Sequence, residues 1–203
     1  MSSSGSSSTV PATTVTTVLE RALSSPARLG RGRLVCVDGP SGSGKSVLAR
    51  AVAAEATARG ARVQVVHTDD LLDGWGGLPG LADRLRTLVV EPLAGGHPAR
   101  YRRYDWEQGR VGEEQEVLPV DLLVLDGVGA GARALAHRRA CLVWVAADDD
   151  ALRLERALDR DGHEIRSELE VWHAAEREHF AREGLPGTAD LRVDGWGRLA
   201  PGG

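Results

Sequence analysis

Asparagine is missing from this 203-residue chain, and lysine occurs once, as Lys45, among 25 basic residues. Every other basic position is arginine, and alanine and glycine are abundant. That is the mark of a G+C-rich coding bias, so the number of arginines carries no functional message. Cysteine is scarce. Cys36 and Cys141 each lie in an apolar, strand-like run, which suits two small core residues in a reducing compartment better than a redox pair or metal ligands. The six histidines show no paired ligand spacing, so no zinc is expected. No apolar run is long enough to cross a bilayer. A formal net charge of −4 supplies no bulk attraction for nucleic acid or an acidic membrane. The Ser-rich start lacks the basic and apolar regions of a signal peptide. The expected organisation is a disordered lead over residues 1–12, one domain over 13–198 and a frayed tail over 199–203, working in the cytoplasm.

What the chain does have is the run Gly39-Pro40-Ser41-Gly42-Ser43-Gly44-Lys45-Ser46, which reads G-x-x-x-x-G-K-S. The apolar segment Leu34–Val37 before it reads as a buried strand, and Val47–Arg59 after it as a helix. Strand, glycine loop and helix form the context in which this motif cradles phosphates. Glycines let the backbone N–H groups turn inward, and the helix N-terminus adds partial positive charge. Candidate nucleotide-binding residues are therefore Gly39, Ser41, Gly42, Ser43, Gly44, Lys45, Ser46 and Val47. Lys45 would reach the β- and γ-phosphates, and the Ser46 hydroxyl would ligate magnesium. In a chain that avoids lysine, one is kept where a compact ammonium is wanted.

The rest of the chain alternates. An amphipathic helix is expected over Thr13–Ser25, and strands over Arg62–Val66, Leu122–Leu125, Cys141–Val145 and Ala189–Val193. Helices are expected over Leu81–Leu93, Ala130–Arg139, Ala151–Asp161 and Arg166–Arg182, with a mobile Gly- and Trp-containing loop around Trp75 over Asp73–Gly80. Asp148 to Asp150 read as a helix start. The result is a three-layer α/β domain, a P-loop NTPase fold with a mostly parallel five-stranded sheet. Ligands of such sheets bind beyond the carboxyl ends of the strands. Asp69 and Asp70 directly follow the second strand, and Asp126 ends the strand Leu-Leu-Val-Leu, where a carboxylate holds magnesium directly or through water. His97 to Trp106 mixes arginines and aromatics with no clean period, a composition suited to stacking a planar group and holding anions.

Several of these points together resemble the uridine kinase branch of the P-loop kinases, which also includes phosphoribulokinase and pantothenate kinase. They are G-P-S-G-S-G-K-S, Asp69 after the second strand, Tyr104-Asp105-Trp106, Asp126-Gly127 and the arginines of residues 153–160. The likeness runs from about Leu34 to Val193. It implies that Asp69 takes the proton from an acceptor hydroxyl, with Asp70 beside it. It implies that Tyr104, Asp105 and Trp106 contact the acceptor, and that Arg153, Arg156 and Arg160 form a lid. Arg156 and Arg160 would lie on ATP and Arg153 on the acceptor side. The family's histidine after Tyr-Asp-Phe is replaced here by Glu107-Gln108-Gly109-Arg110, so the resemblance carries phosphoryl transfer and not uracil recognition.

The expectation is an ATP- and magnesium-dependent kinase of a small, nucleoside-like acceptor, with no nucleic-acid or membrane partner and room for a homo-oligomer. Two alternatives stand beside it. One is a nucleoside monophosphate kinase, with Arg100, Arg102 and Arg103 on the acceptor phosphate. The other is a regulatory module that binds ATP and transfers nothing. A Ras-like GTPase is excluded because its Asn-Lys-x-Asp guanine reader cannot be built here, and the Leu-Ser-Gly-Gly-Gln signature of ABC ATPases is absent.

Overall fold

The computed structural model describes residues 10–146 and 150–200, apart from the side chains of residues 150, 152, 156, 157, 160 and 161. Its centre is β1 (Arg33–Asp38), flanked by β5 (Leu122–Asp126) and β6 (Arg139–Val145). The outer strands are β2 (Val63–His67) beside β5 and β7 (Leu191–Val193) beside β6, giving the order β2-β5-β1-β6-β7. Every pairing in this sheet is parallel.

The central strands are apolar throughout because both faces are covered. Successive side chains point to opposite faces. Val35 and Val37 of β1, with Val124 and Val143, pack against Val15, Val18, Leu19 and Ala22 of α1 (Ala12–Ser24) and Leu48, Ala49 and Val52 of α2 (Lys45–Ala58). Leu34 and Cys36, with Leu123, Leu125 and Leu142, face the other layer. That layer contains α3 (Leu78–Arg84), α4 (Glu91–Ala94) and residues of α6 (Arg166–Glu183), which follows α5 (Asp150–Asp161). Both cysteines are free and buried, and burial pushes the Cys141 thiol up to about 12 and Cys36 upward as well, so both are poor nucleophiles.

Three local expectations change. The helix expected over Leu81–Leu93 begins at Leu78 and widens into a π-turn over Leu85–Val90, just before Pro92, which has no amide to donate. The loop expected over Asp73–Gly80 ends at Gly77, and Leu78–Gly80 belong to α3. Arg84 donates to the Leu71 carbonyl at 2.7 Å and pairs with Asp73 at 3.1 Å, tying the segment down. Ala130–Arg139 is not a helix beyond the single turn Arg133–Leu135. The amides of Gly129 and Gly131 are given to the Asp38 carboxylate instead.

The arginine-aromatic stretch is a strand. β3 (Ala99–Asp105) pairs antiparallel with β4 (Arg110–Val117), with Tyr101 opposite Gln115. Ala99 and Tyr101 face inward while Arg100 and Arg102 face out, and a bulge between Arg102 and Tyr104 breaks the alternation that the sequence would otherwise show.

Candidate active site

Parallel register brings the ends of three strands into one row. Val37 lies opposite Asp126, and Asp126 opposite His67. The glycine loop leaves β1 at this row and turns into α2. Gly44 caps α2 at φ 94°, a left-handed conformation that a side chain would strain, and no side chain caps the helix start. Gly42, at φ 77°, lies so close to the Arg153 backbone that a Cβ would press on its carbonyl at 2.9 Å. An uncapped helix N-terminus beside a curled glycine loop is a geometry that suits an anion.

Lys45 is buried and its ammonium donates to the Pro40 carbonyl at 2.9 Å. Beneath the loop, the buried Asp38 accepts N–H groups from Gly39 (2.7 Å), Gly129 (3.2 Å) and Gly131 (2.7 Å). Burial pushes its carboxyl up to about 6 against the pull of those donors and of Lys45. Asp38 thus joins the glycine loop to the segment after β5, a role that strand spacing does not reveal.

Asp126 is buried, with one carboxylate oxygen 2.9 Å from His67 Nδ1. That hydrogen bond raises the His67 imidazole above its ordinary range, against partial burial. The other oxygen, Oδ1, is buried without a hydrogen-bond partner, as is Thr68 Oγ1 on the neighbouring turn. Buried polar atoms are normally satisfied, so an open carboxylate oxygen at this edge fits a cation. Ser46 stands partly exposed at the head of α2. Among the described residues no group of three or more His, Cys, Asp or Glu gathers as a metal cage. A magnesium ion held by one or two protein groups and by substrate phosphates needs none.

Asp69 is exposed on the single turn Thr68–Leu71 that follows β2. Asp70 points elsewhere, into an ion pair with Arg103 at 3.0 Å and a hydrogen bond from the Tyr101 hydroxyl at 3.4 Å. The hairpin thus anchors on this turn, and Trp106 Nε1 donates to the Asp69 carbonyl at 3.3 Å. Trp106 is in edge-to-face contact with Tyr104 (5.0 Å) and Trp75 (5.1 Å), and Trp75 with Trp172 of α6 (6.1 Å). This aromatic wall runs from the hairpin to the glycine loop, and its Trp75 and Trp172 carry no motif in the sequence. Asp105 accepts the Gln108 N–H at 2.9 Å, within the hairpin turn.

Arg153 donates to the Ser41 carbonyl at 3.0 Å and is buried. The expected contacts of Arg156 and Arg160 lie outside the described residues. On the far side of the loop, the exposed Val47 and Trp196 flank a shallow recess beside Gly44. Trp196 sits on a turn after β7 that Asp194 fixes by accepting the N–H groups of Trp196 and Arg198.

No protein-family model matches the chain, and no curated protein matches it by sequence. Solved structures do match. A protein described as a possible uridine kinase from Bacillus stearothermophilus superposes with a TM-score of 0.65 at 20% identity, covering 90% of this chain and 98% of the other. A candidate fructose transport system kinase from Silicibacter sp. TM1040 gives 0.60 at 21% identity, over 88% and 96%. The D-glycerate 3-kinase of Cryptococcus neoformans var. grubii gives 0.57 at 15%, over 93% and 96%. At such identities the likeness is one of fold: the chain is built on the parallel-sheet architecture that these P-loop kinases share.

Proposed function

We propose that the chain is an ATP-dependent kinase that phosphorylates a hydroxyl group of a small, nucleoside-like molecule or similar metabolite. The observation that carries this reading is the row of strand ends: an exposed Asp69 one strand from the buried, unpartnered carboxylate oxygen of Asp126, beside the Lys45 loop. A module that only binds ATP needs no exposed carboxylate there. The three structural neighbours are described as a possible uridine kinase, a candidate fructose transport system kinase and a D-glycerate 3-kinase, which supports a small-molecule acceptor in general.

In this reading the ATP phosphates lie on the amides of Gly42 to Ser46, with Lys45 swinging from Pro40 to the terminal phosphate. The base packs in the recess between Val47 and Trp196. Ser46 and Asp126 would hold magnesium, which would supply charge neutralisation to the transferring phosphates. Asp69 accepts the proton as the acceptor oxygen attacks the γ-phosphorus and the bond to ADP breaks. Positioning and charge stabilisation supply most of the acceleration.

The unphosphorylated acceptor is favoured over a monophosphate because all three arginines of β3 are engaged. Arg100 pairs with Glu116 at 2.6 Å, Arg103 with Asp70 at 3.0 Å, and Arg102 donates to the Gly112 carbonyl at 3.0 Å. Buried thiols fit work in the reducing cytoplasm.

The test is Asp69→Asn. The lost interaction belongs to the transition state, so kcat should fall by about 100-fold or more with ATP affinity nearly unchanged. A kcat within about twofold of wild type would remove Asp69 as the base.

A further inference from the structure

Ser41, at the tip of the glycine loop, is held by the lid side of the molecule through every polar group it has. Its N–H donates to Glu176 Oε1 at 2.9 Å. Its hydroxyl donates to the same oxygen and accepts from Trp172 Nε1 at 3.0 Å. Its carbonyl accepts from Arg153 at 3.0 Å. Trp172 Nε1–H is shared with Glu176 Oε1 at 2.7 Å, and the second Glu176 oxygen lies 3.6 Å from the Arg153 guanidinium. Glu176 is 1% exposed and Arg153 4%.

Packing alone does not call for such a cluster. Taking a carboxylate and a guanidinium out of water is costly, and apolar side chains of the same volume would hold α6 on the loop at least as well. The carboxylate also occupies a particular place. The peptide unit between Pro40 and Ser41 has its carbonyl on Lys45 and its amide on Glu176. It therefore joins the one lysine of the loop to a fixed internal negative charge, on a loop shaped to receive anions.

Resting on the reading of this loop as the ATP phosphate site, we propose that Glu176 is a specificity-determining residue that sets the preference between nucleoside tri- and diphosphate. Lys45 has to leave Pro40 to reach a terminal phosphate. That phosphate then meets the Glu176 carboxylate at the Ser41 amide and competes with it for Arg153. A diphosphate, whose charge ends further down the loop toward α2, leaves the Glu176–Ser41 contact in place. Repulsion by Glu176 thus weakens the triphosphate selectively, and the return of Glu176 to Ser41 marks the product state. Trp172, bonded to both partners, changes surroundings when they separate.

The experiment measures binding of ADP and of a non-hydrolysable ATP analogue, each with magnesium, by calorimetry on the full chain. Glu176→Gln keeps an acceptor for Ser41 and Trp172 and removes the charge. The expected result is about tenfold tighter binding of the triphosphate analogue with less than about twofold change for ADP. Both nucleotides would perturb Trp196 through the base, so the readout is the difference: wild-type tryptophan emission should change more with the triphosphate analogue than with ADP, and Trp172→Phe should abolish that excess. This second readout stands even if Glu176→Gln does not fold. Equal effects of Glu176→Gln on both nucleotides, or an emission response that is the same for both, would overturn the proposal and leave the phosphate site intact. A wild-type chain that binds neither nucleotide would overturn the phosphate site itself, and the proposal with it.

Discussion

Asp38 is a carboxyl with no solvent around it and three backbone N–H groups pointing at it. Its folded pKa of about 6 lies above the ordinary 3.8, so the folded state holds the proton more tightly than the unfolded chain. Stability from this group is therefore present below about pH 3.8 and is lost as pH rises through about 6. Asp38→Asn leaves one loop amide facing an NH₂ group and should destabilise the fold. The deficit relative to wild type should shrink as pH rises from 4 toward 6.5, measured by urea unfolding at several pH values. A deficit that grows with pH over that range would contradict the buried, raised carboxyl. Lys45, Ser46 and Asp126 stand out as candidates in the sequence because each sits at a fixed offset in a local motif. Asp38 and Glu176 do not, since their partners lie about 90 residues away in Gly129 and Gly131 and 135 residues away in Ser41. Spacing along one strand or helix carries no trace of such pairings.

The β3–β4 hairpin is the element on which acceptor recognition would turn in the proposed kinase. Trp106 is 38% exposed, and it alone of the wall tryptophans hydrogen-bonds the Asp69 carbonyl, so it places a stacking face next to the proposed base. Base–aromatic stacking is worth about 1–3 kcal/mol. Trp106→Ala should therefore raise the acceptor KM by about tenfold or more, with the KM for ATP little changed, in initial-rate measurements. Replacing Arg102 and Arg103 together by alanine should cost a neutral acceptor little, because exposed ion pairs contribute about 1 kcal/mol or less. A large loss from the double change with an unaffected Trp106→Ala would point to an acceptor phosphate instead. The five sheet strands and α1 were readable because burial on two faces writes long apolar runs and burial on one face writes a helical stripe. The hairpin was hidden because arginine fills its outer face and a bulge interrupts its inner one.

Across the whole molecule, the topology sets what the parts can do. β1 sits at the middle of the order β2-β5-β1-β6-β7, so its glycine loop emerges between the ends of β5 and β6, with β2 and Asp69 one strand further out. Two apolar clusters clamp the sheet from either side and make its C-terminal edge a rigid platform. α6 closes on the loop from above through Trp172 and Glu176. The parallel sheet and its glycine loop were readable in the sequence, while the aromatic wall was not, since it is assembled from the hairpin, the Trp75 segment and α6 together. The most direct test is ADP release from ATP and magnesium against a panel of nucleosides, sugars, hydroxy acids and nucleoside monophosphates, for wild type and a folded Lys45→Ala variant. The account predicts acceptor-dependent ADP release with an unphosphorylated hydroxyl compound, reduced by about 100-fold or more in Lys45→Ala. Turnover that survives Lys45→Ala at near wild-type rates, or that occurs with monophosphates alone, would contradict it.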